Sequence, residues 1–287
     1  MKFDVVSFGS AIWDVFLSVD KVEWGSKNEI KALVMGSGGG STNTAVGMAR
    51  LGLKTAVVGR CGQDEFGRRI GDELEREKVS LRFLVECRGE ATDYSTILVE
   101  ANGRSTPLIY RGPTRLEEKL INWSGLKKTS WFCLSSLEGN LGLLAKILFF
   151  ARQNRIKVAI NPGARELAHA SQLLDLIKGV EVLIVNEEES RQLKSQNEGI
   201  FVITKGARGA ELYQTGEHLF EPAARKVTMI DATGAGDAFT AGFLVGLING
   251  SDPRRALRLG LANGASVVTQ VGAKTGLLRE NEIEKWI

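Results

Sequence analysis

The sequence predicts an α/β fold, a mostly parallel sheet flanked by helices on both faces, with a small β lid beside it. Three observations lead there. Short apolar runs at Phe3–Phe8, Lys54–Gly59, Trp131–Ser135, Lys157–Asn161, Val182–Asn186 and Phe201–Lys205 recur along the chain, separated by stretches of helical periodicity. Two intervals, 16–35 and 92–111, break that rhythm with short extended pieces and polar turns. The 33 glycines gather near strand ends and helix starts, where close approach and positive φ are useful, rather than in a flexible linker.

Taken in order, the first run leads into Gly9-Ser10-Ala11-Ile12, with Asp14 just beyond. A carboxylate there suits two vicinal hydroxyls, or is simply a solvated loop acid. Gly38-Gly39-Gly40-Ser41-Thr42-Asn43 then opens a helical stretch. Gly39 and Gly40 permit close backbone contact with a polyol and Asn43 both donates and accepts, although helix capping uses the same residue types. After the second run, Phe66, Ile70 and Leu74 recur at helical spacing within 65–77, and Asp64 in front of them suits a loop organiser or cap.

Ser95–Glu100 and Ser105–Tyr110 flank Ala101-Asn102-Gly103-Arg104, the signature of a hairpin. Together with 16–35 it forms the expected discontinuous lid at 16–35 and 92–111, leaving 1–15, 36–91 and 112–287 as the core. Such a lid serves to cover a substrate or to form an oligomer edge. In the core, Leu143, Leu144, Ile147 and Leu148 cover the sheet until Asn154-Arg155 ends their helix.

The segment Asp231-Ala232-Thr233-Gly234-Ala235-Gly236-Asp237-Ala238-Phe239 carries the most chemistry. Gly234 and Gly236 let backbone N–H groups converge on an anion as a helix begins at Ala235, and Asp237 stands beside them to accept a proton from a hydroxyl. That pairing suits phosphoryl transfer. The bland alternative is a glycine turn with an acid that caps the helix.

Composition narrows the classes. At 287 residues and 43% hydrophobic, the chain buries a sizeable core, and 37 basic against 34 acidic residues leave only +3 net charge, with no long basic block. No nucleic-acid partner is expected. No stretch reaches the roughly 17–25 apolar residues of a membrane span, so no membrane partner is expected either. Cys61, Cys87 and Cys133 offer neither zinc spacing nor a disulfide framework, which makes a reducing cytoplasm the simplest compartment. The loops lack Gly-x-Gly-x-x-Gly and the chain has no Gly-Lys dipeptide, against dinucleotide and P-loop patterns. His169 and His218 belong to no nucleophile or metal constellation.

In these motifs the sequence resembles the PfkB, or ribokinase-like, family of carbohydrate kinases. Asp231–Phe239 is similar to its carboxyl-terminal signature Asp-Thr-x-Gly-Ala-Gly-Asp-x-Phe, with Ala232 at an often hydroxylated position, and Gly59–Gly67 to its Gly-x-x-Gly-x-Asp-x-x-Gly region. The resemblance runs from Asp14 to the Val271–Gly276 loop. It implies a ribokinase-like fold, ATP and Mg2+ as cofactors, Asp237 as catalytic base and Gly234, Ala235 and Gly236 as an anion hole. Asp14, Gly39, Gly40 and Asn43 are implied to bind the acceptor. Asn186 and Glu189 resemble an Asn-x-x-Glu motif that organises magnesium and phosphate, Glu189 through water. Thr204 and Gly206 resemble a loop that approaches ATP, and Asn263 lies in a stretch resembling the adenine-pocket helix, although its spacing equally suits helix packing. Asp231 and the Thr233 carbonyl match a monovalent-cation site, optionally K+. The implied activity is transfer of the γ-phosphate to a hydroxyl of a small sugar or sugar derivative. The alternatives are a nucleoside kinase of the same family and a non-catalytic sugar- or nucleotide-binding regulator. A homodimer through the lid is a further expectation from the family.

Overall fold

The computed structural model describes residues 2–101, 104–112, 115–193, 199–223 and 225–287. Its strands are β1 (Phe3–Phe8), β2 (Ile12–Val19), β3 (Ala32–Gly38), β4 (Thr55–Gly62), β5 (Ser80–Cys87), β6 (Asp93–Glu100), β7 (Ser105–Tyr110), β8 (Thr129–Leu134), β9 (Lys157–Ile160), β10 (Val182–Asn186), β11 (Ile200–Thr204), β12 (Ala210–Gln214) and β13 (Glu217–Glu221). Each of the six apolar runs is a strand of one sheet, ordered β13-β12-β11-β10-β9-β8-β1-β4-β5 among the described residues. From β11 to β5 all neighbours are parallel, and β12 and β13 add an antiparallel edge.

Both faces of this sheet are covered, which is why its strands read as continuous apolar runs. On one face Phe8, Phe132, Leu134 and Ile160 pack with Leu144, Ile147 and Leu148 of the Leu141–Asn154 helix. On the other, Val5, Ile184 and Val202 pack with Phe243 and Leu244 of the Ala235–Ile248 helix and Leu257 of the Pro253–Val267 helix. Pro253 at the first turn and Asp252, whose side chain accepts from the Arg255 amide at 3.1 Å, fix where the second helix starts. No helix among the described residues is long and apolar enough to cross a membrane.

A second sheet stands beside the first in the order β3-β2-β6-β7, with β2 and β6 parallel and the outer pairs antiparallel. It is wider than the 16–35 interval expected from sequence, because β2 starts at Ile12 and β3 runs to Gly38. Asp14 therefore lies within a strand and is buried, where a loop position was expected. The reason is local: Trp13 and Val15 join the core formed by Ile70 and Leu74, which carries the strand inward past the polar Asp14. The Asn102-Gly103 turn lies outside the described residues.

Candidate active site

The site is built around the turn where β3 passes into the Gly40–Arg50 helix. Gly39 has φ of +90°, and a Cβ there would run into the Ser10 carbonyl, so the position requires glycine. A Cβ on Gly38 would overlap the Asp14 carboxylate. One on Gly40 would overlap Ser135 at 2.5 Å and stand 3.5 Å from Asp237 Oδ1. Two carboxylates from distant parts of the chain thus flank a single run of three glycines.

Asp237 is the third residue of the Ala235–Ile248 helix, whose cap, Gly234, has φ of +80° and makes no side-chain capping bond. A Cβ on Gly234 would meet Ala273 at 2.8 Å. The Ala235 amide turns back to the Ala232 carbonyl at 3.2 Å, a correction to its expected place in the anion hole. The amides of Gly234, Gly236 and Asp237 have no acceptor among the described residues, so the open donors of this helix start are those three. The Asn43 amide donates to Asp237 Oδ2 at 2.8 Å. Burial pushes the Asp237 carboxyl up, the Asn43 bond and the Lys274 charge pull it down in part, and Asp14 adds to the rise. The Asn43 carbonyl oxygen is buried with no hydrogen-bond partner among the described residues.

Asp14 accepts a hydrogen bond from Ser95 Oγ across the β2–β6 pair. Burial raises its carboxyl as well, against the Ser95 bond and the charges of Lys274 and Arg111. Near Arg111 is a small cavity of about 30 Å3 whose walls include Gly9, Ser10, Ala11, Arg60, Asp93, Arg111, Leu116, Ser136, Leu137 and Glu138; Asp14, Asn43 and Asp237 are not among them. A Cβ on Gly9, one of its walls, would strike Ser135 Oγ, the same hydroxyl that confines Gly40. Arg111 stands 3.4 Å from Asp93 and 3.3 Å from Glu138.

On the other side of the anion turn is a larger, mostly apolar cleft of about 560 Å3. Its walls include Thr204, Gly206, Gly209, Ala232, Gly236, Phe239, Leu261, Gly264 and Ala265. Thr204 and Gly206, which resemble a loop that approaches ATP, both line this cleft. Asn186 pairs in register with Thr204 at the ends of β10 and β11. Asn186 and Glu189 cap each other's amides at 2.9 and 2.8 Å, leaving one Glu189 oxygen outside the box. Burial raises the Glu189 carboxyl, the Asn186 amide opposes it and Glu188 adds to it. No group of three His, Cys, Asp or Glu able to hold a metal occurs among the described residues. One free carboxylate oxygen at a cleft edge fits a magnesium ion carried mainly by water and phosphate.

One further expectation is corrected. Asn263 is fully buried, its amide donating to the Ala238 carbonyl at 2.8 Å and its oxygen accepting from the Leu278 amide at 3.0 Å. It braces two helices, and Gly264 and Ala265 reach the cleft in its place. The Asp231 carboxylate is likewise engaged, by Thr233 N at 3.0 Å, Thr233 Oγ1 at 2.7 Å and Gly272 N at 3.0 Å. These three donors tie it to Thr233 and to the Val271–Gly276 loop. Asp64 is a cap, accepting from Gly67 N and Thr92 N at 2.8 Å and from Thr92 Oγ1 at 2.6 Å. Burial pushes its carboxyl up, and these donors outweigh that and hold it low.

Sequence reasoning missed Gly38, Ser135 and Lys274. Gly38 was visible as the first of three glycines, and Lys274 as a lone cation in a glycine-flanked loop. Ser135 left no signal, since its role comes from the parallel pairing of β1 and β8.

Residues 2–280 match the family described as pfkB family carbohydrate kinase. A fructokinase of Escherichia coli is 31% identical over 288 residues, covering 86% of this chain and 90% of that protein. Among solved structures, a putative ribokinase II from E. coli superposes with a TM-score of 0.88 at 20% identity, covering 99% of this chain and 98% of that one. Ribokinase of Arabidopsis thaliana, solved with ribose and ATP, gives 0.81 at 21% identity over 100% and 99% of the two chains.

Proposed function

The chain belongs to the pfkB family of carbohydrate kinases, and on that premise we propose that it transfers the γ-phosphate of ATP to a hydroxyl of a small sugar or sugar derivative. Family membership carries the coarser activity, ATP-dependent phosphotransfer to a small sugar or nucleoside. The observation that carries the finer reading is the placement of Asp237, pinned by Asn43 between the three-glycine turn and an open helix start.

The cavity lining argues for a polyhydroxylated acceptor. Arg60, Arg111, Asp93, Glu138, Ser10 and Ser136 bring charged and hydroxyl groups to its walls beside Ala11, Leu116 and Leu137, and no aromatic side chain that would stack on a nucleobase is among the described lining residues. Trp13 stacks on Phe66 at 6.3 Å between centroids and is buried with the core. Asp14 accepts acceptor hydroxyls, and the Asn43 oxygen is an unused acceptor for one more.

In the mechanism, Asp237 takes the proton of the hydroxyl that attacks. The open amides of Gly234, Gly236 and Asp237 stabilise charge on the phosphoryl oxygens as it moves. The walls of small residues at Gly206, Ala232, Gly264 and Ala265 admit the flat adenine, and Thr204 offers a hydroxyl at the edge. Glu189, held by Asn186, would retain Mg2+ through water, and that ion would supply neutralisation of the phosphate charge. The test is a panel of sugars, sugar acids, polyols and nucleosides, reading ADP and phosphorylated product. Sugar phosphorylation is expected. Exclusive turnover of nucleosides, or binding without any product, would contradict this reading.

The face of the lid sheet that carries Trp13 and Val15 continues into Leu33, Met35, Leu108 and Tyr110, aligned by register and all about half exposed. A second copy of the chain is the proposed cover for this apolar surface. Leu33→Glu should convert a dimer to monomer in sedimentation analysis. A wild type that is already monomeric at high concentration would contradict it.

A further inference from the structure

Lys274 is 7% exposed, and an ammonium at that depth is costly unless each proton finds an acceptor. All three do: the Ser37 carbonyl, Ser37 Oγ at 2.9 Å and Thr42 Oγ1 at 3.0 Å. Glu73 Oε1 stands 3.8 Å away, and Glu73 itself accepts from Ser37 N at 2.6 Å and Ser37 Oγ at 3.0 Å. Ser37 precedes the three glycines and Thr42 follows them, so one amine grips both ends of the acceptor-side turn. Its own loop grips the other half of the site. Gly272 N donates to Asp231, and Ala273 packs against Gly234.

We propose that Lys274 is a positioning residue for phosphoryl transfer: its buried ammonium holds the glycine turn against the anion turn and places a fixed positive charge beside Asp14 and Asp237. This role rests on the kinase reading.

The charges around it come from every packed element. Asp14 faces it from β2, Asp237 from the Ala235–Ile248 helix, Glu73 and Glu77 from the Glu65–Arg76 helix and its end, and Arg50 from the Gly40–Arg50 helix. Asp237 also meets Asn43, Asp14 and the Cys133 thiol, which burial pushes up to about 12. Two buried carboxylates in mutual reach favour protonation of one of them. A base must be ionised to accept a proton; burial raises Asp237 and lowers the Lys274 amine, and the ammonium, supported by its three acceptors and Glu73, opposes the rise at Asp237.

Titration of Asp237 by carboxyl 13C NMR, assigned by the signal lost in Asp237→Asn, tests this without an acceptor. Lys274→Gln should raise the midpoint by about one pH unit. Glu73→Gln, which leaves the ammonium less neutralised, should not raise it. If Lys274→Gln fails to fold, the double variant Lys274→Met with Glu73→Gln removes both members of the buried pair and should show the same rise. An unmoved midpoint, or an equal rise in Glu73→Gln, overturns the proposal. In turnover, the acid limb of kcat/KM should move up by the same amount, so that the variant recovers at high pH. A uniform loss at every pH would make Lys274 a merely structural residue. A shifted midpoint in a protein that phosphorylates nothing would sink the kinase reading while leaving the charge coupling intact.

Discussion

The two sides of the anion turn are built on opposite plans. On one side, buried charges crowd a turn with no room for a methyl group: Asp14 lies against Gly38, Asp237 near Gly40, and Lys274 and Glu73 hold the flanking Ser37. On the other side, a mostly apolar cleft is lined by small residues such as Gly206, Ala232, Gly264 and Ala265, by the larger Met229, Phe239 and Leu261, and by Arg225 and Lys226, and a Cβ on Gly236 would meet nothing within 4 Å. On the proposed function, the first side would recognise an acceptor by hydrogen bonds between fixed partners and the second a nucleotide mainly by shape. Substitutions should therefore be felt sharply on the first and weakly on the second.

Asp237→Asn should have the largest effect, a loss of about 10²–10⁴-fold in kcat with the fold retained. Its stability should move the other way. Burial raises the Asp237 carboxyl in the folded state, so the folded protein binds the proton more tightly than the unfolded chain does. The ionised group then costs stability above its folded pKa, and that cost fades as pH falls through it. Thermal melts should show the variant more stable at neutral pH, with the gain shrinking toward acid. An unchanged or lower Tm at neutral pH would contradict the burial argument.

Gly40→Ala against Gly236→Ala contrasts the two sides directly. The first pushes a methyl group into Ser135 beside Asp237 and should cost about 1–3 kcal/mol, read by denaturant unfolding, together with most of the activity. The second should leave stability within about 0.5 kcal/mol and mainly raise KM for ATP. Equal destabilisation would erase the distinction.

Asn263→Ala should cost about 1–3 kcal/mol by leaving the Ala238 carbonyl and Leu278 amide unpaired, with KM for ATP little changed in the folded fraction. A large rise in that KM would restore the residue to the nucleotide site. The smallest effect is expected from Glu189→Gln, which keeps the capping box and should raise the Mg2+ concentration for half-maximal activity about tenfold.

The core sheet was legible because strands buried on both faces read as unbroken apolar runs, and the helix at Ala235 because Gly234 and Gly236 mark its start. The acceptor side was legible only in pieces. Asp14 was legible as a carboxylate suited to hydroxyls, but not its place inside a strand, because its buried partner Ser95 lies far along the chain. Asn263 misled because an asparagine bracing two helices has the same local spacing as one facing a ligand. Lys274 escaped because its three acceptors lie more than two hundred positions away, and no local pattern reports such a bond.

The most direct test follows phosphoryl transfer by rapid quench across pH, with wild type and Asp237→Asn side by side on the best acceptor. The wild type should lose transfer as pH falls through a midpoint above the ordinary carboxylate range, and the variant should be slow and flat. A variant that keeps the wild-type rate, or the same acid limb, would show that another group takes the proton.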